Sequence, residues 1–386
     1  ALISLPEAIE FETTDEAVAH AFYYPPRNPD FAGPAEEKPP LLVLSHGGPT
    51  AATSPELNLN YQFWTSRGFA LVDVNYRGST GYGREYRNAL RNNWGVVDLD
   101  DCMMGPTVQD LWLFLSGSRD EMAAQLGGLT FTGSTPVGKK LMQYSGQSNL
   151  KRTFLELGGK SPNIVFADAD LDKAATMAAV AVFYNGGQTC TAGTRLIVQH
   201  EIMDEFLDRV TEKARGWMPG DPLDPATTMG PMIDAEQCRT VADYVKVGSE
   251  EGAQIVFGGR QVMEETGGHY FQPSIFAGVD NAMRIAQEEI FGPVLSVIGF
   301  RTAEEAVRIA NDSIYGLAGA VWSNDINTAH RVAEAVRVGT MGINNYFGGD
   351  ITVPFGGFKQ SGNGRDKSIH AFHDYTELKT TWIEFA

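Results

Sequence analysis

Three short apolar runs, each closed by a glycine-rich turn, constrain this chain most: PPLLVLSHGGPTA (39–51), FALVDVNYRGSTGYG (69–83) and LTFTGSTPVGKKL (129–141). The first of these, an uninterrupted apolar run ending in a glycine turn, predicts a buried strand of a parallel sheet, where both faces are covered and no polar alternation is needed. Between the first two runs lies NYQFWTSRG (60–68), with apolar residues at helical spacing and a glycine stop. Strand, helix and strand in that order predict a β-α-β unit, which places the first segment in the α/β class. The third run reads as strand 129–132, the turn Gly133-Ser134-Thr135 and a helix whose close packing Gly138 allows. Backbone amides at such a helix N-terminus can face a pyrophosphate or a nicotinamide ring.

At 386 residues the chain is long enough for two or three domains, each with its own core. Its net charge of −18 argues against nucleic acid and anionic membrane surfaces as partners. No apolar run approaches the roughly 20 residues needed to span a bilayer. Cys102, Cys190 and Cys238 are widely spaced, so they predict neither a metal-ligand cluster nor a disulfide framework. The expectation is therefore a cytoplasmic protein without a metal.

The chemistry concentrates in FLELGGKSPN (154–163) and YNGGQTCTAGTR (184–195). Cys190, flanked by threonines in a Gly/Gln-rich turn, and Glu156, at the end of an upstream strand, suit covalent attack on a carbonyl followed by hydrolysis. Sulfur fits this task because it is nucleophilic near neutral pH and forms an acyl intermediate that water can cleave. Cys190 as a small buried hydrophobe is the bland alternative, and it is the favoured one for Cys102 and Cys238.

Together the two motifs, with Gly133-Ser134 placed 22 residues upstream of Glu156, resemble the aldehyde dehydrogenase superfamily over about residues 127–386. The resemblance implies Cys190 as nucleophile, Glu156 as the base for thioester hydrolysis, and NAD or NADP as cofactor. It places Gly133, Ser134, Gly138 and Leu157 in the dinucleotide turn. In QEEIFGPVLSV (287–297) it makes Glu289 the acceptor from the nicotinamide ribose, with Phe291 beside it; Glu288 lies one register step away. Tyr184, Thr191 and Phe355 are expected along the substrate tunnel. The C-terminal stretches 339–372 and 375–383 resemble dehydrogenases of ω-amino and γ-glutamylamino aldehydes, acting in polyamine and γ-aminobutyrate routes. Asp350 would offer such a substrate a carboxylate, or else simply form a turn in GGD. The segment YTELKTTWIEF (375–385) is expected as a strand that joins a neighbouring subunit, which implies a homodimer or homotetramer.

Residues 63–102, with His46-Gly47-Gly48-Pro49, closely resemble the catalytic domain of prolyl oligopeptidase-type serine peptidases. No G-x-S-x-G occurs in the chain, so the strained elbow that would expose a serine nucleophile is not encoded. Two aldehyde dehydrogenase motifs are missing as well. W-N-F-P would carry the oxyanion asparagine, a donor whose loss costs about 100–1,000-fold in turnover, and K-P-[AS]-E would hold the adenosine ribose.

The expected fold is thus α/β throughout: an N-terminal α/β-hydrolase-like β-α-β fragment (1–105), a partial Rossmann-like dinucleotide-binding segment (106–159), an aldehyde dehydrogenase-like catalytic domain with a parallel sheet (160–360), and an oligomerisation segment (361–386). Three readings stay open: a fusion with an intact catalytic domain, a complete dehydrogenase to which a foreign first third has been joined, and an inert scaffold.

Overall fold

A computed structural model describes residues 2–33, 39–46, 51–91, 93, 96–104, 128–346 and 348–384. The chain divides into two compact units, residues 1–126 and 127–386.

In the first unit the described strands form a four-stranded mixed sheet in the order Glu7–Glu12, Val18–Tyr24, Ala70–Asn75, Leu41–Ser45. The last two pair in parallel, Leu41 opposite Ala70, and the helix Leu59–Thr65 connects them, so the expected β-α-β unit is present. Asn58 caps that helix by accepting from the Asn60 amide. The run 39–51 departs from the expectation of a buried strand. Leu41–Ser45 lies at the sheet edge with Leu42 its buried residue, whereas Ala70–Asn75 is buried along its whole length. Position in the sheet decides this, because an edge strand has one neighbour and its apolar side chains stay partly in water.

In the second unit, strands Gly128–Thr132 and Arg152–Glu156 pair in parallel, joined by the helix Thr135–Gln147. The expected turn and helix are therefore realised. A side chain at Gly138 would come within 2.6 Å of Leu157, which explains why the first turn of this helix carries a glycine there. The main sheet has seven described strands in the order Thr340–Ile343, Ala318–Trp322, Pro162–Val165, Arg195–Gln199, Val294–Phe300, Ser274–Ala277, Gln254–Phe257. All neighbours run parallel except the edge strand Gln254–Phe257. Strands Pro162–Val165 and Ala318–Trp322 are buried throughout, as a sheet covered on both faces requires.

One cover is alanine-rich. Ala174, Ala175, Ala178 and Val182 of the helix Leu171–Phe183 pack with Phe206 and Val210 of Met203–Ala214 over one face. On the other face Val241, Ile285, Ile309 and Val332 fill the core. This is α/β architecture with a parallel sheet, as expected.

The C-terminal segment pairs with no strand among the described residues. Tyr375 closes a short helix, Phe372–Tyr375, and residues 376–384 form no ladder with other described residues. Leu378, Trp382 and Ile383 stand exposed, because alternation creates a strand only when another backbone supplies hydrogen bonds. Among the described residues no helix is long and apolar enough to cross a membrane, and no cluster of ligating side chains could hold a metal.

Candidate active site

The segment Glu156-Leu157-Gly158-Gly159-Lys160 is the hinge of the site. It leaves the strand Arg152–Glu156 and crosses to the strand Pro162–Val165 of the main sheet. A side chain at Gly158 would overlap the Glu289 carboxylate, and one at Gly159 would overlap the Cys190 carbonyl. Two glycines are therefore what allow one short crossing to touch both partners. The Gly159 amide donates to Glu289 Oε1 at 3.1 Å.

The Cys190 loop is braced by its own sequence. Asn185, Gly186 and Gly187 adopt left-handed backbone conformations, which Asn and Gly tolerate best. Asn185 Nδ2 donates to the Gln188 carbonyl at 3.1 Å, Gln188 Nε2 returns a bond to the Asn185 carbonyl at 3.2 Å, and the Ile233 amide donates to Gln188 Oε1 at 2.9 Å. The Thr191 carbonyl accepts from the buried Tyr346 hydroxyl at 2.6 Å. Cys190 is thus held half-buried on a rigid turn.

Its electrostatics differ from the expectation of a thiol activated near neutral pH. Burial pushes the Cys190 thiol up to about 11, with Glu289 and then Glu156 adding repulsion, while the amides of Cys190 and Thr191 oppose the shift. These two carboxylates and the sulfur therefore share one electrostatic site. Those two amides also supply the donors available to a negative charge developing beside the sulfur.

Glu156 is buried, and neither carboxylate oxygen has a close hydrogen-bond partner among the described residues. Burial pushes it up to about 8, Asp366 adds to the rise and Arg365 counteracts it. The C-terminal segment covers it. Side chains at Gly356 and Gly364 would approach Glu156 Oε1 to 2.7 and 3.2 Å. Ser361 locks this cover in place: its hydroxyl donates to the Gly158 carbonyl at 2.6 Å and accepts from the Gly316 amide at 2.9 Å, and its carbonyl accepts from Leu157. Ser361→Ala would leave a buried carbonyl and amide unpaired, so we expect roughly 1–3 kcal/mol of destabilisation in chemical denaturation.

The remaining expected residues fall in different surroundings. Gly133 and Ser134 are exposed at the start of the helix Thr135–Gln147, where no side chain caps the first amides, and the Gly133 amide donates to the Glu156 carbonyl at 3.0 Å. Glu288 is engaged by Arg284, through two bonds of 2.9 Å, and by Tyr244 at 2.7 Å. That leaves Glu289 as the glutamate against the glycine crossing. Phe291 is partly exposed in a left-handed conformation, and its carbonyl accepts from Gln237 at 2.8 Å. Tyr184 is exposed. Phe355 is half-buried, paired through its backbone with Asp366. Asp350 is exposed and folded onto Thr352, whose amide and hydroxyl donate to Oδ1 at 2.7 and 2.6 Å.

In the first unit, His46 Nε2 lies 2.6 Å from Ser79 Oγ. Ser79 is fully buried and donates to the Tyr76 carbonyl, so this contact braces a loop and exposes no nucleophile. Gly47, Gly48 and Pro49 lie outside the described residues, as does the stretch 105–127, where the expected boundary at 105–106 falls.

Sequence reasoning missed Lys160 and Ser361, which are both buried at this site. A lysine directly after two glycines in an otherwise apolar stretch was the available signal for the first; nothing local marked the second.

A cysteine on a braced turn, a buried carboxylate and a second carboxylate gathered at the crossing between the two-stranded sheet and the central strands of the seven-stranded one define a thiol-and-carboxylate α/β domain. The chain belongs to the aldehyde dehydrogenase family, whose model matches residues 121–381. It is 49% identical over 259 residues to NADP/NAD-dependent aldehyde dehydrogenase PuuC of Escherichia coli (strain K12), covering 67% of this chain and 52% of that protein. It is 47% identical over 256 residues to aldehyde dehydrogenase 1A1 of Gallus gallus, covering 66% and 50%. Among solved structures, gamma-glutamyl-gamma-aminobutyraldehyde dehydrogenase from Burkholderia cenocepacia J2315 superposes with a TM-score of 0.66 at 44% identity, over 84% of this chain and 58% of that one. An indole-3-acetaldehyde dehydrogenase complexed with NAD+ gives 0.68 at 58%, over 69% and 54%. The chain spans about half the length of the curated relatives it matches. Residues 55–107 separately match the prolyl oligopeptidase family.

Proposed function

We propose that residues 127–386 oxidise an aldehyde to its carboxylic acid through a thioester on Cys190. The observation that carries this reading is the convergence of Cys190, Glu156 and Glu289 on the Gly158-Gly159 crossing. The Cys190 thiol gives its proton to water, its sulfur attacks the aldehyde carbon as the carbonyl π bond opens, and the resulting oxyanion sits beside the Cys190 and Thr191 amides. Loss of a hydride from that carbon leaves the thioester. Glu156, once ionised, takes a proton from water; the new C–O bond forms, the C–S bond breaks, and the thiol is restored.

A bound NAD or NADP would supply the hydride acceptor. The residues present fit its nicotinamide half: uncapped helix amides behind Gly133 and Ser134, the close Gly138–Leu157 packing, Phe291, and a Glu289 carboxylate with one oxygen not bonded to Gly159. An acceptor-only carboxylate is suited to the paired hydroxyls of a ribose.

The substrate class proposed is an amino- or γ-glutamylamino-aldehyde, in keeping with the name of the Burkholderia cenocepacia enzyme alone among the relatives above, with Tyr184, Thr191, Asp350 and Phe355 along its path. We also infer a homodimer or homotetramer, with residues 376–384 as the docking strand. Because Asp350 is exposed, its attraction for an ammonium group is weak. We expect kcat/KM for 4-aminobutyraldehyde to exceed that for butyraldehyde by about fivefold at most. Equal values would remove the role given to Asp350, and no cofactor reduction with either would sink the activity itself. A second reading, an impaired fusion or scaffold, is favoured by the missing W-N-F-P and K-P-[AS]-E motifs. Cofactor reduction by the purified chain of 386 residues, its junction verified by peptide mass across residues 95–135, separates the two.

A further inference from the structure

The peptide between Thr191 and Ala192 is held at both ends. Its N–H donates to the Thr189 carbonyl at 3.1 Å, which closes a turn with Cys190 and Thr191 at its centre, and its carbonyl accepts from the Tyr346 hydroxyl at 2.6 Å. No other described group donates to that carbonyl. The two central amides, of Cys190 and Thr191, donate to no backbone carbonyl among the described residues, which leaves them to the sulfur they flank. Tyr346 reaches this peptide from 155 residues further along the chain. It follows the edge strand Thr340–Ile343, and Asn344, in a left-handed conformation, turns the chain back. The Asn344 amide donates to the Val321 carbonyl at 2.9 Å, and its side chain accepts from the Ser323 amide at 3.0 Å and donates to the Ser323 carbonyl at 2.9 Å. The Tyr346 ring then lies buried with Ala181 and Ala320. A side chain at Gly193 would come within 2.9 Å of that ring, and the Gly193 amide donates to the Ala181 carbonyl at 3.0 Å. Three small residues thus shape a close-packed slot that fixes where the hydroxyl points.

We propose that Tyr346 is a positioning residue of the Cys190 turn, its hydroxyl holding the closing peptide so that the Cys190 and Thr191 amides stay aimed at the oxyanion formed beside the sulfur. The oxyanion part rests on the reading of Cys190 as nucleophile given above; the clamp on the turn does not. Donors aimed at a developing charge are effective when they are fixed in advance, because turning them during the reaction offsets the stabilisation they give. Without the hydroxyl, the Thr191 carbonyl is a partly buried acceptor with no described partner, and rotation of its peptide toward another donor becomes favourable. That rotation changes the Thr191 backbone torsions and loosens the turn that carries both amides.

The test compares two reactions of Cys190 in the full chain at a single pH. p-Nitrophenyl acetate transfers its acetyl group to the sulfur through a tetrahedral oxyanion: the C–S bond forms, the C–O bond to nitrophenolate breaks, and the thiol proton goes to water. Iodoacetamide alkylates the same sulfur by displacing iodide and forms no oxyanion. With rates taken as the excess over Cys190→Ala, Tyr346→Phe should be acylated at least about tenfold more slowly than wild type, yet alkylated within about threefold of it. A change in exposure or in the proton affinity of the thiol would move both rates together. Equal slowing of the two, or no slowing of acylation, therefore overturns the positioning role. Should Tyr346→Phe not fold, Gly193→Ala, which presses on the ring and keeps the hydroxyl, carries the same comparison with the same limits. A wild-type chain acylated no faster than Cys190→Ala overturns the nucleophile reading and the oxyanion role with it. Amide hydrogen exchange over residues 184–195 then decides the clamp: faster exchange in Tyr346→Phe than in wild type supports it, and unchanged exchange overturns it.

Discussion

Cys190→Ser is expected to lower aldehyde oxidation by roughly a thousandfold or more, since serine oxygen is a far poorer nucleophile at the same position and its ester is harder to reach. The structure adds a pH signature. With the thiol held up to about 11 by burial and by Glu289 and Glu156, little thiolate exists at pH 7 in the free protein. Alkylation of Cys190 by iodoacetamide should therefore be slow at pH 7 and rise about tenfold per pH unit through pH 9. It should still outrun Cys102, which burial pushes up to about 12, and Cys238, which is buried. Turnover by Cys190→Ser at the wild-type rate would refute the thioester route. A pH-independent alkylation rate would show that burial does not hold the thiol up.

The second large effect concerns Glu156→Gln. Glutamine keeps the shape but cannot take a proton from water, so thioester hydrolysis should slow about 100–10,000-fold. Cofactor reduction in the first turnover should survive, giving a burst followed by a near-stationary phase in stopped-flow absorbance. Loss of the burst as well would move Glu156 into the acylation step. Wild-type steady-state turnover should climb through about pH 8, because the ionised form is the one that acts. Stability runs the other way. A carboxyl whose folded pKa is raised above its unfolded value binds more protons in the native state, so stability is full below the unfolded pKa, near 4.5, and is lost as pH rises through about 8. At pH 9 the glutamine variant should thus be more stable than wild type by roughly 2–4 kcal/mol in urea unfolding. Equal stability of the two at pH 9 would mean that Glu156 is not strained by its burial.

These tests bear on the segment that holds the site together. The crossing 156–160 serves the carboxylate of Glu156, the backbone of Cys190 and the carboxylate of Glu289 at once, and Ser361 fastens it from the far end of the chain. Single substitutions here should couple strongly to one another, since they share partners within one network.

Much of this was legible from local chemistry. The run-and-turn pattern of 69–83 and 129–141 specified strands, and Asn185-Gly186-Gly187-Gln188 specified a turn that only residues tolerant of left-handed backbone can make. The identities of Cys190 and Glu156 announced a nucleophile and a base. Each of these depends on interactions within a few residues, so the sequence alone determines them.

What sequence could not decide depends on long-range neighbours. Whether 41–45 is central or at an edge is set by strand order, and residues 376–384 form no ladder because no described strand pairs with them. The proton affinities of Cys190 and Glu156 are set by burial and by distant charges, Glu289 lying 99 residues from Cys190 and Arg365 and Asp366 lying 209 and 210 residues from Glu156. Lys160 and Ser361 acquire meaning only once residues 156–160, 195, 289, 316 and 361 meet, because desolvation and Coulomb energy depend on distance in space and not along the chain.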